Sequence, residues 1–585
     1  MPVFKPKKSI LLLTSALVWA QCLPGKSAHA ETSIDVMEKQ IRLLQVQLKE
    51  MKSQQAQHAR EVQEARDAAR QARIEAESNP YAMRREYVGG AQGLATPRYV
   101  GGAQGQATYV SGVQGLSASQ SPAPQINNTP YGQITGMPVA RSSSQAPLRK
   151  GQFAIGGVTI TLGGFFEMAG IFRSRNEASD ISSNFATIPW LNSPNAHMNE
   201  YHQTERQSRL SVLVQGDLNS HLHASGYSEV DFQGSGTASN SRQSNSYVLR
   251  ARVVYGELQD TENDWYVAGG QMWSLATMFK HGMDERNENI PLVIDAQYLP
   301  GFTWTRNTGV RAVKGFNHGE YHIGLSLENP QSVWGGTNYA PPGSTVTVNT
   351  AGGQVNNATT TYSDDVAPDI ILKGAADPKF GHFEALGMMR FLHDRVSYLG
   401  HGQSHVVVAG GGGGAMLIPI IKHKLDFQAS GLVGNGIGRY GTSNLADATT
   451  NRFGAPVALP EAQVLAGLVG HPIKSMDVYA YGGMEDILGG RSFNVGNKAY
   501  GYGNPALIAT GCQTEMASNC TATNIKRVTQ GTVGFWWRYL HGDYGTMQFG
   551  MQYSYTNVRA FAGVGGTAHT DDNMVFLSMR YMPFQ

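Results

Sequence analysis

Charge and cysteine are scarce in this chain: Asp, Glu, Lys and Arg supply 15% of 585 residues, and there are three cysteines. No uncharged apolar run reaches the roughly 18–20 residues that a membrane-spanning helix needs, which excludes helical crossing. Catalytic spacing is missing as well. The 17 histidines are scattered, His-Glu-x-x-His does not occur, and no Ser/His/Asp set can be assigned by spacing. The run Gly410 to Gly414 lacks the Lys-Ser/Thr ending of a phosphate loop. After residue 150, 28 basic residues face 34 acidic ones, unlike a cationic nucleic-acid surface. No enzyme activity, cofactor, metal or nucleic-acid partner is expected.

Alternation is what the chain has in quantity. In Tyr544 to Asn557, Met547, Phe549, Met551, Tyr553 and Tyr555 share one face of an extended segment. Thr546, Gln548, Gly550, Gln552 and Ser554 share the other. About ten residues per segment, apolar outward and polar inward, is what a membrane-spanning β-barrel requires. Sixteen such segments are found from Gly156 onward. The expected fold is therefore an all-β transmembrane barrel of about 16 antiparallel strands, with an N-terminal α-helical coiled coil before it. Its connections alternate between long and tight, the long ones near 174–205, 234–245, 273–301, 328–367, 393–404, 437–460, 485–526 and 558–571. A barrel standing between a narrow periplasm and the exterior has that asymmetry, and an even strand count leaves no sheet edge in lipid.

Residues 1–30 read as an export signal: Lys5, Lys7 and Lys8, then Ile10 to Trp19, then Ala28-His29-Ala30. A lipoprotein signal ending at Cys22 is the alternative, with Gln21 a poor residue before it. Residues 31–77 are expected to form the coiled coil. Ile34, Ile41, Leu48, Gln55, Val62, Ala69 and Ala76 fill one core position; Met37, Leu44, Met51, His58, Ala65 and Ala72 fill the other. Six unbroken heptads predict a parallel homo-oligomer. Residues 78–150 form a linker in which Tyr87-Val-Gly-Gly-Ala-Gln-Gly recurs from Tyr99 and, altered, from Tyr109. It serves as a flexible spacer or as a surface that touches another polymer. Residues 151–585 are the barrel. Cys512 and Cys520, eight positions apart in a Gly/Thr/Asn-rich stretch, are expected to pair as a disulfide.

Selectivity in so wide a barrel must come from what lines it. Arg209, Arg250, Arg252, Arg311 and Arg538 fall on the polar phase of their strands. An arginine facing lipid at mid-depth would cost about 2–4 kcal/mol, which turns them toward the lumen. Glu229 and Asp231 share that lumen, and the 273–301 loop adds Asp284, Glu285, Glu288 and Asp295. Two arrangements stay open: opposed basic and acidic walls with a transverse field, or local pairs that stiffen the barrel. Trp265, Trp273, Trp304, Trp536 and Trp537 are either interfacial girdle residues or a sugar-stacking track. Adjacent Trp536 and Trp537 must face opposite ways.

Ser208-Arg209-Leu210, Val248-Leu-Arg-Ala-Arg-Val-Val-Tyr-Gly-Glu257, Val267-Ala-Gly-Gly-Gln-Met-Trp273 and Ser326-Leu-Glu-Asn-Pro330 resemble the early strands of trimeric porins. With the coiled coil, the chain is most similar to the DcaP-like porin family. The resemblance covers roughly 31–76 and 156–330, and later strands by pattern. It implies a homotrimer of sixteen-stranded barrels in the outer membrane, a periplasmic coiled coil and an inward-folded loop 273–301. It also implies uptake of small anionic solutes such as dicarboxylates, with Arg209, Arg250, Arg252 and Arg311 lining the path. The expected partners are two further copies of the chain, outer-membrane lipid and small hydrophilic solutes, with peptidoglycan a candidate. A sugar-selective porin, an envelope tether or adhesin acting through the coiled coil, and an outer-membrane hydrolase are the competing readings.

Overall fold

The computed structural model describes residues 125–126, 130–135, 148, 150–234, 247–352 and 360–585, with isolated helical positions at Gln45, Lys49 and Gln63. Expectations for the export signal, the heptads and the repeats lie outside the described residues. The chain divides into two units, Met1–Gly112 and Val113–Gln585, and the second holds the barrel.

Sixteen wall strands run in chain order: β1 Val158–Arg173, β2 Glu200–Thr204 continued by Arg209–Asp217, β3 Leu222–Gly234, β4 Val248–Asp260, β5 Trp265–Trp273, β6 Arg306–Phe316, β7 Tyr321–Glu328 and β8 Asp369–Ala376. They continue as β9 His382–Tyr398, β10 His401–Ile421, β11 Leu425–Asn435, β12 Pro460–Ile473, β13 Met476–Ile487, β14 Ile525–Gly542, β15 Gly545–Gly563 and β16 Gly566–Met582. Each pairs antiparallel with its sequence neighbours. The sheet closes where β16 meets β1, from Met574 opposite Arg173 to Tyr581 opposite Phe166.

Closure sets the inside and outside that the alternation calls for. On β15, Gln548, Gln552, Ser554 and Thr556 are buried in the lumen, while Met551, Tyr553 and Tyr555 stand exposed on the outer wall. The same outer band carries Val212 and Val214, Leu325 and Leu327, Val464 and Leu468, and Leu577 and Met579. On β14, Trp536 is fully buried inside and Trp537 is exposed outside. Such a belt has no reason to face water, and lipid is its natural solvent.

Seven tight turns lie at one end and the long loops at the other, with two corrections. The stretches 393–404 and 558–571, expected as loops, are strand. β9 and β10 stay paired to Tyr398 opposite His401, and β15 and β16 to Gly563 opposite Gly566. His393, Asp394 and Arg395 break the apolar period, yet the backbone ladder does not need lipid. Asp394 instead accepts a bond from His405 Nδ1 across the hairpin (2.9 Å). In the loop between β13 and β14, a disulfide joins Cys512 to Cys520.

Glycine matters where walls or segments crowd. Gly410, Gly411 and Gly413 on β10 each sit where an added Cβ would lie within 2.2 Å of a neighbouring strand's carbonyl oxygen. Gly164 holds φ +115°, with Arg209 O only 2.1 Å from where its Cβ would be. Gly164→Val is expected to destabilise the barrel by about 1–3 kcal/mol, read as a lower melting point of the heat-modifiable folded band on SDS gels. An unchanged melting point would contradict this packing.

Candidate functional site

The loop joining β5 to β6, residues 274–305, does not stand outside the barrel. It folds through the lumen because the far wall offers bonding groups to its backbone. Glu384 on β9 accepts from the Phe279 amide (2.7 Å), and Asp377 in the turn after β8 accepts from Gly282 (2.9 Å). Asn289 donates to Gln428 on β11 (3.0 Å), and Tyr481 on β13 lies 3.2 Å from the Leu292 amide. Trp536 Nε1 donates to the Leu292 carbonyl (2.7 Å), and the Gly301 amide donates to Glu485 (2.9 Å). Leu275, Phe279, Met283, Val293, Ile294 and Leu299 are all fully buried. The loop thus narrows the pore with an apolar spine, its backbone polar groups satisfied by wall side chains.

Beside it, on β2 to β4, lies a charge cluster. Arg252 reaches Glu229 (2.6 Å) and Asp231 (2.8 Å), and Nη2 points at the Tyr298 hydroxyl (3.4 Å). Arg250 grips Asp231 with two bonds, 3.0 and 2.7 Å. Arg209 lies 3.6 Å from Glu229. Arg250 and Arg252 are inward by plain alternation. Val253 pairs with Glu229 and Ala251 with Val230, so a β-bulge leaves Arg252 without a register partner and sets Val253 inward directly after it. Arg250 keeps about a third of its side chain open, whereas Arg209 and Arg252 are almost wholly enclosed.

The remaining expected residues are placed elsewhere. Arg311 pairs with Glu285 of the loop (2.6 Å), both buried. Arg538 pairs with Asp477 (2.6 Å) near the turn joining β12 to β13, at the tight-turn rim and apart from the cluster. Asp295 accepts from the Ser183 and Gln297 amides (3.2 and 2.9 Å) rather than facing an arginine wall. Asp284 lies in the turn between Phe279 and Glu288, which pair across it at the loop tip. The charged groups thus form local pairs in place of two opposed walls, because cross-strand neighbours of opposite sign stand within reach of one another.

One residue escaped the alternation reading. Arg306 opens β6, one position out of phase with the inward Asn307 and Arg311. Its guanidinium stacks over Trp273 (4.9 Å) and Trp304 (5.9 Å) beside Arg250 and Arg252. It has no carboxylate partner among the described residues, and its Nη1 is buried without a hydrogen bond. The Trp-Thr-Arg spacing was the only available signal: the chain is still leaving the lumen there, so strand phase does not yet apply. The cluster therefore holds Arg209, Arg250, Arg252 and Arg306 against Glu229 and Asp231, an excess of two positive charges.

The loop tip titrates in a useful range. Loss of hydration raises the Asp284 carboxyl to about 7, nearby Asp264 adds to this, and Arg286 opposes it. Burial also raises Glu288, with Glu285 beside it. A carboxyl whose docked pKa exceeds its free value of about 4 favours docking below that value and loses the advantage as pH climbs through 7. Amides of 274–305 are expected to exchange with deuterium about tenfold faster at pH 8 than at pH 5, after correction for intrinsic rates. Equal corrected rates would contradict the assignment.

No family model matches the chain, and no curated protein matches it. Solved structures do. The outer-membrane channel DcaP of Acinetobacter baumannii aligns over 73% of this chain and 97% of its own, at 14% identity and a TM-score of 0.50. An anion-selective porin from Comamonas acidovorans covers 73% and 99% at 11% identity, TM-score 0.40. OmpF of Salmonella typhi, in complex with daunomycin, covers 74% and 99% at 8% identity, TM-score 0.39. The likeness is one of fold: this chain has the sixteen-stranded barrel architecture of outer-membrane porins, similar to DcaP.

Proposed function

We propose that the protein is an outer-membrane porin for passive diffusion of small hydrophilic solutes, with a bias toward anions such as dicarboxylates. It assembles as a homotrimer whose N-terminal coiled coil lies in the periplasm. The observation that carries the bias is the charge excess beside the inward loop. Four arginines share two carboxylates, and Arg306 makes no ion pair among the described residues. Two carboxylates on one small solute match an excess of two positive charges, and Arg250, partly open, offers the accessible guanidinium. Roles for Arg209, Arg252 and Arg311 in lining the path are part of the same proposal, through the field they set rather than by direct contact.

The sugar-porin alternative draws no support from the aromatic residues. Trp273, Tyr298 and Phe302 contact one another at 5.2–6.3 Å, but all three are buried in the packing of the loop. Planar-bilayer recording of the purified full-length protein tests the proposal. Under a KCl gradient the reversal potential is expected to have the sign of chloride preference, and succinate to reduce chloride current. A cation-selective reversal potential, or block by sucrose and not succinate, would reject it.

A further inference from the structure

Residues 130–135 belong by sequence to the linker, yet they lie inside the barrel. Tyr131 is buried, with the guanidinium groups of Arg580 and Arg209 5.3 and 5.7 Å from its ring centre. Its hydroxyl lies 2.5 Å from the Pro291 carbonyl and 2.7 Å from the Val293 carbonyl on the inward loop, with one proton to donate to the pair. The Pro130 carbonyl accepts from Arg580 Nη1 (2.8 Å) and Gln548 Nε2 (3.0 Å). Gly132 takes φ +55° and accepts from the Gly164 amide (3.2 Å). Gln133 donates to Glu288 (3.2 Å), and Ile134 is fully buried.

The receiving surface is cut to this segment. A Cβ on Gly132 would lie 2.7 Å from Gly164 O, and one on Gly163 would lie 2.7 Å from Ile134 Cγ1. Two successive glycines on β1 therefore leave the room that the segment occupies. Arg580 is held by Glu167 (2.9 Å) and Gln207 (2.6 Å), so the cradle has its own support. The bonds to the segment are mostly polar, and water can replace each of them when it leaves. Hydrogen bonds worth about 1 kcal/mol each, with about 1.5–3 kcal/mol for each of the buried Tyr131 and Ile134 side chains, stand against ordering costs of about 1–2 kcal/mol per residue. Those terms nearly cancel, which is the condition for a segment that comes and goes.

We propose that the lumen holds a binding site for a Pro-Tyr-Gly-Gln peptide, filled by residues 130–134 of the chain itself, and that vacating it widens the pore. The segment bridges the inward loop, β1, β15 and β16, so it narrows the space that the loop leaves. This goes beyond anion preference and rests on the porin reading only in requiring a conducting barrel.

The test compares single-channel conductance of the full-length protein with that of the triple variant Tyr131→Ser, Gln133→Ser, Ile134→Ser. Folding is checked by heat-modifiable migration. The variant is expected to conduct several-fold more. A synthetic peptide with the sequence of residues 128–135 should restore the lower level, and the same peptide with alanine for tyrosine should not. Equal, non-zero conductance in both proteins, or no response to the peptide, overturns the stopper and leaves the porin reading standing. Absence of conductance from both folded proteins overturns the channel and the stopper together. If the triple variant does not fold, the pair Ile134→Cys, Gly163→Cys decides. Oxidation should hold conductance at a lower level that reductant reverses, and identical traces before and after reductant overturn the proposal.

Discussion

Arg252→Ala is expected to destabilise the barrel by about 3 kcal/mol, the largest loss of any single lumen substitution in the cluster. At the β-bulge of β4, Arg252 meets Glu229 and Asp231 in an almost wholly enclosed site. Removing the guanidinium takes from both carboxylates their closest enclosed donor, at 2.6 and 2.8 Å, and leaves buried acceptors unfilled. Arg209 and Arg250 still neutralise the two carboxylates, which holds the cost to the lower end of the range for a broken buried pair. Glu229→Gln in the same chain should recover much of the loss, since the amide needs no counter-charge. Arg250→Ala, at a partly open site, should cost about 1 kcal/mol or less. Urea titration of the folded band in detergent measures all three. A midpoint for Arg252→Ala no lower than that for Arg250→Ala would remove the cluster from the account of stability.

Arg306→Glu is expected to abolish anion preference. It changes four cations against two anions into three against three, so the local excess falls from two charges to none. At ~8 Å through water-filled lumen, two unit charges change the energy of a monovalent ion by about 1 kcal/mol, in opposite senses for chloride and potassium. Salt at 0.1 M screens part of this over a Debye length of about 10 Å. The anion-to-cation permeability ratio should then fall by about tenfold, and by about threefold for Arg306→Gln, which removes one charge. Because Arg306 makes no ion pair among the described residues, neither variant should lower the unfolding midpoint as Arg252→Ala does. Reversal potentials matching the parent protein would sink the charge excess as the origin of selectivity.

What could be read in advance followed from physical range. Strand alternation is a local property enforced by lipid on one side, so all sixteen wall strands were legible, as were the opposite directions of Trp536 and Trp537. Where lipid ends, that constraint ends, and the two tall hairpins at Tyr398 and Gly563 were mistaken for loops. Which acid meets which arginine depends on register and on a one-residue bulge at Arg252, neither of which alternation encodes. Arg306 lies where the chain is not yet in strand phase. The lodging of residues 130–135 in the lumen was hidden for another reason: a short polar stretch carries no periodicity, and its fit is written in Gly163 and Gly164 far along the chain.

The inward loop also bears on how the molecule is put together. Its anchors sit on strands made much later in the chain, at Tyr481, Trp536 and Gln552, and residues 130–135 are held by Gln548 and Arg580 at the very end. The final seam, between Val158–Arg173 and Gly566–Met582, encloses both. Early-made pieces must therefore wait, unanchored, for late-made ones, and packing the interior and sealing the cylinder become a single cooperative act.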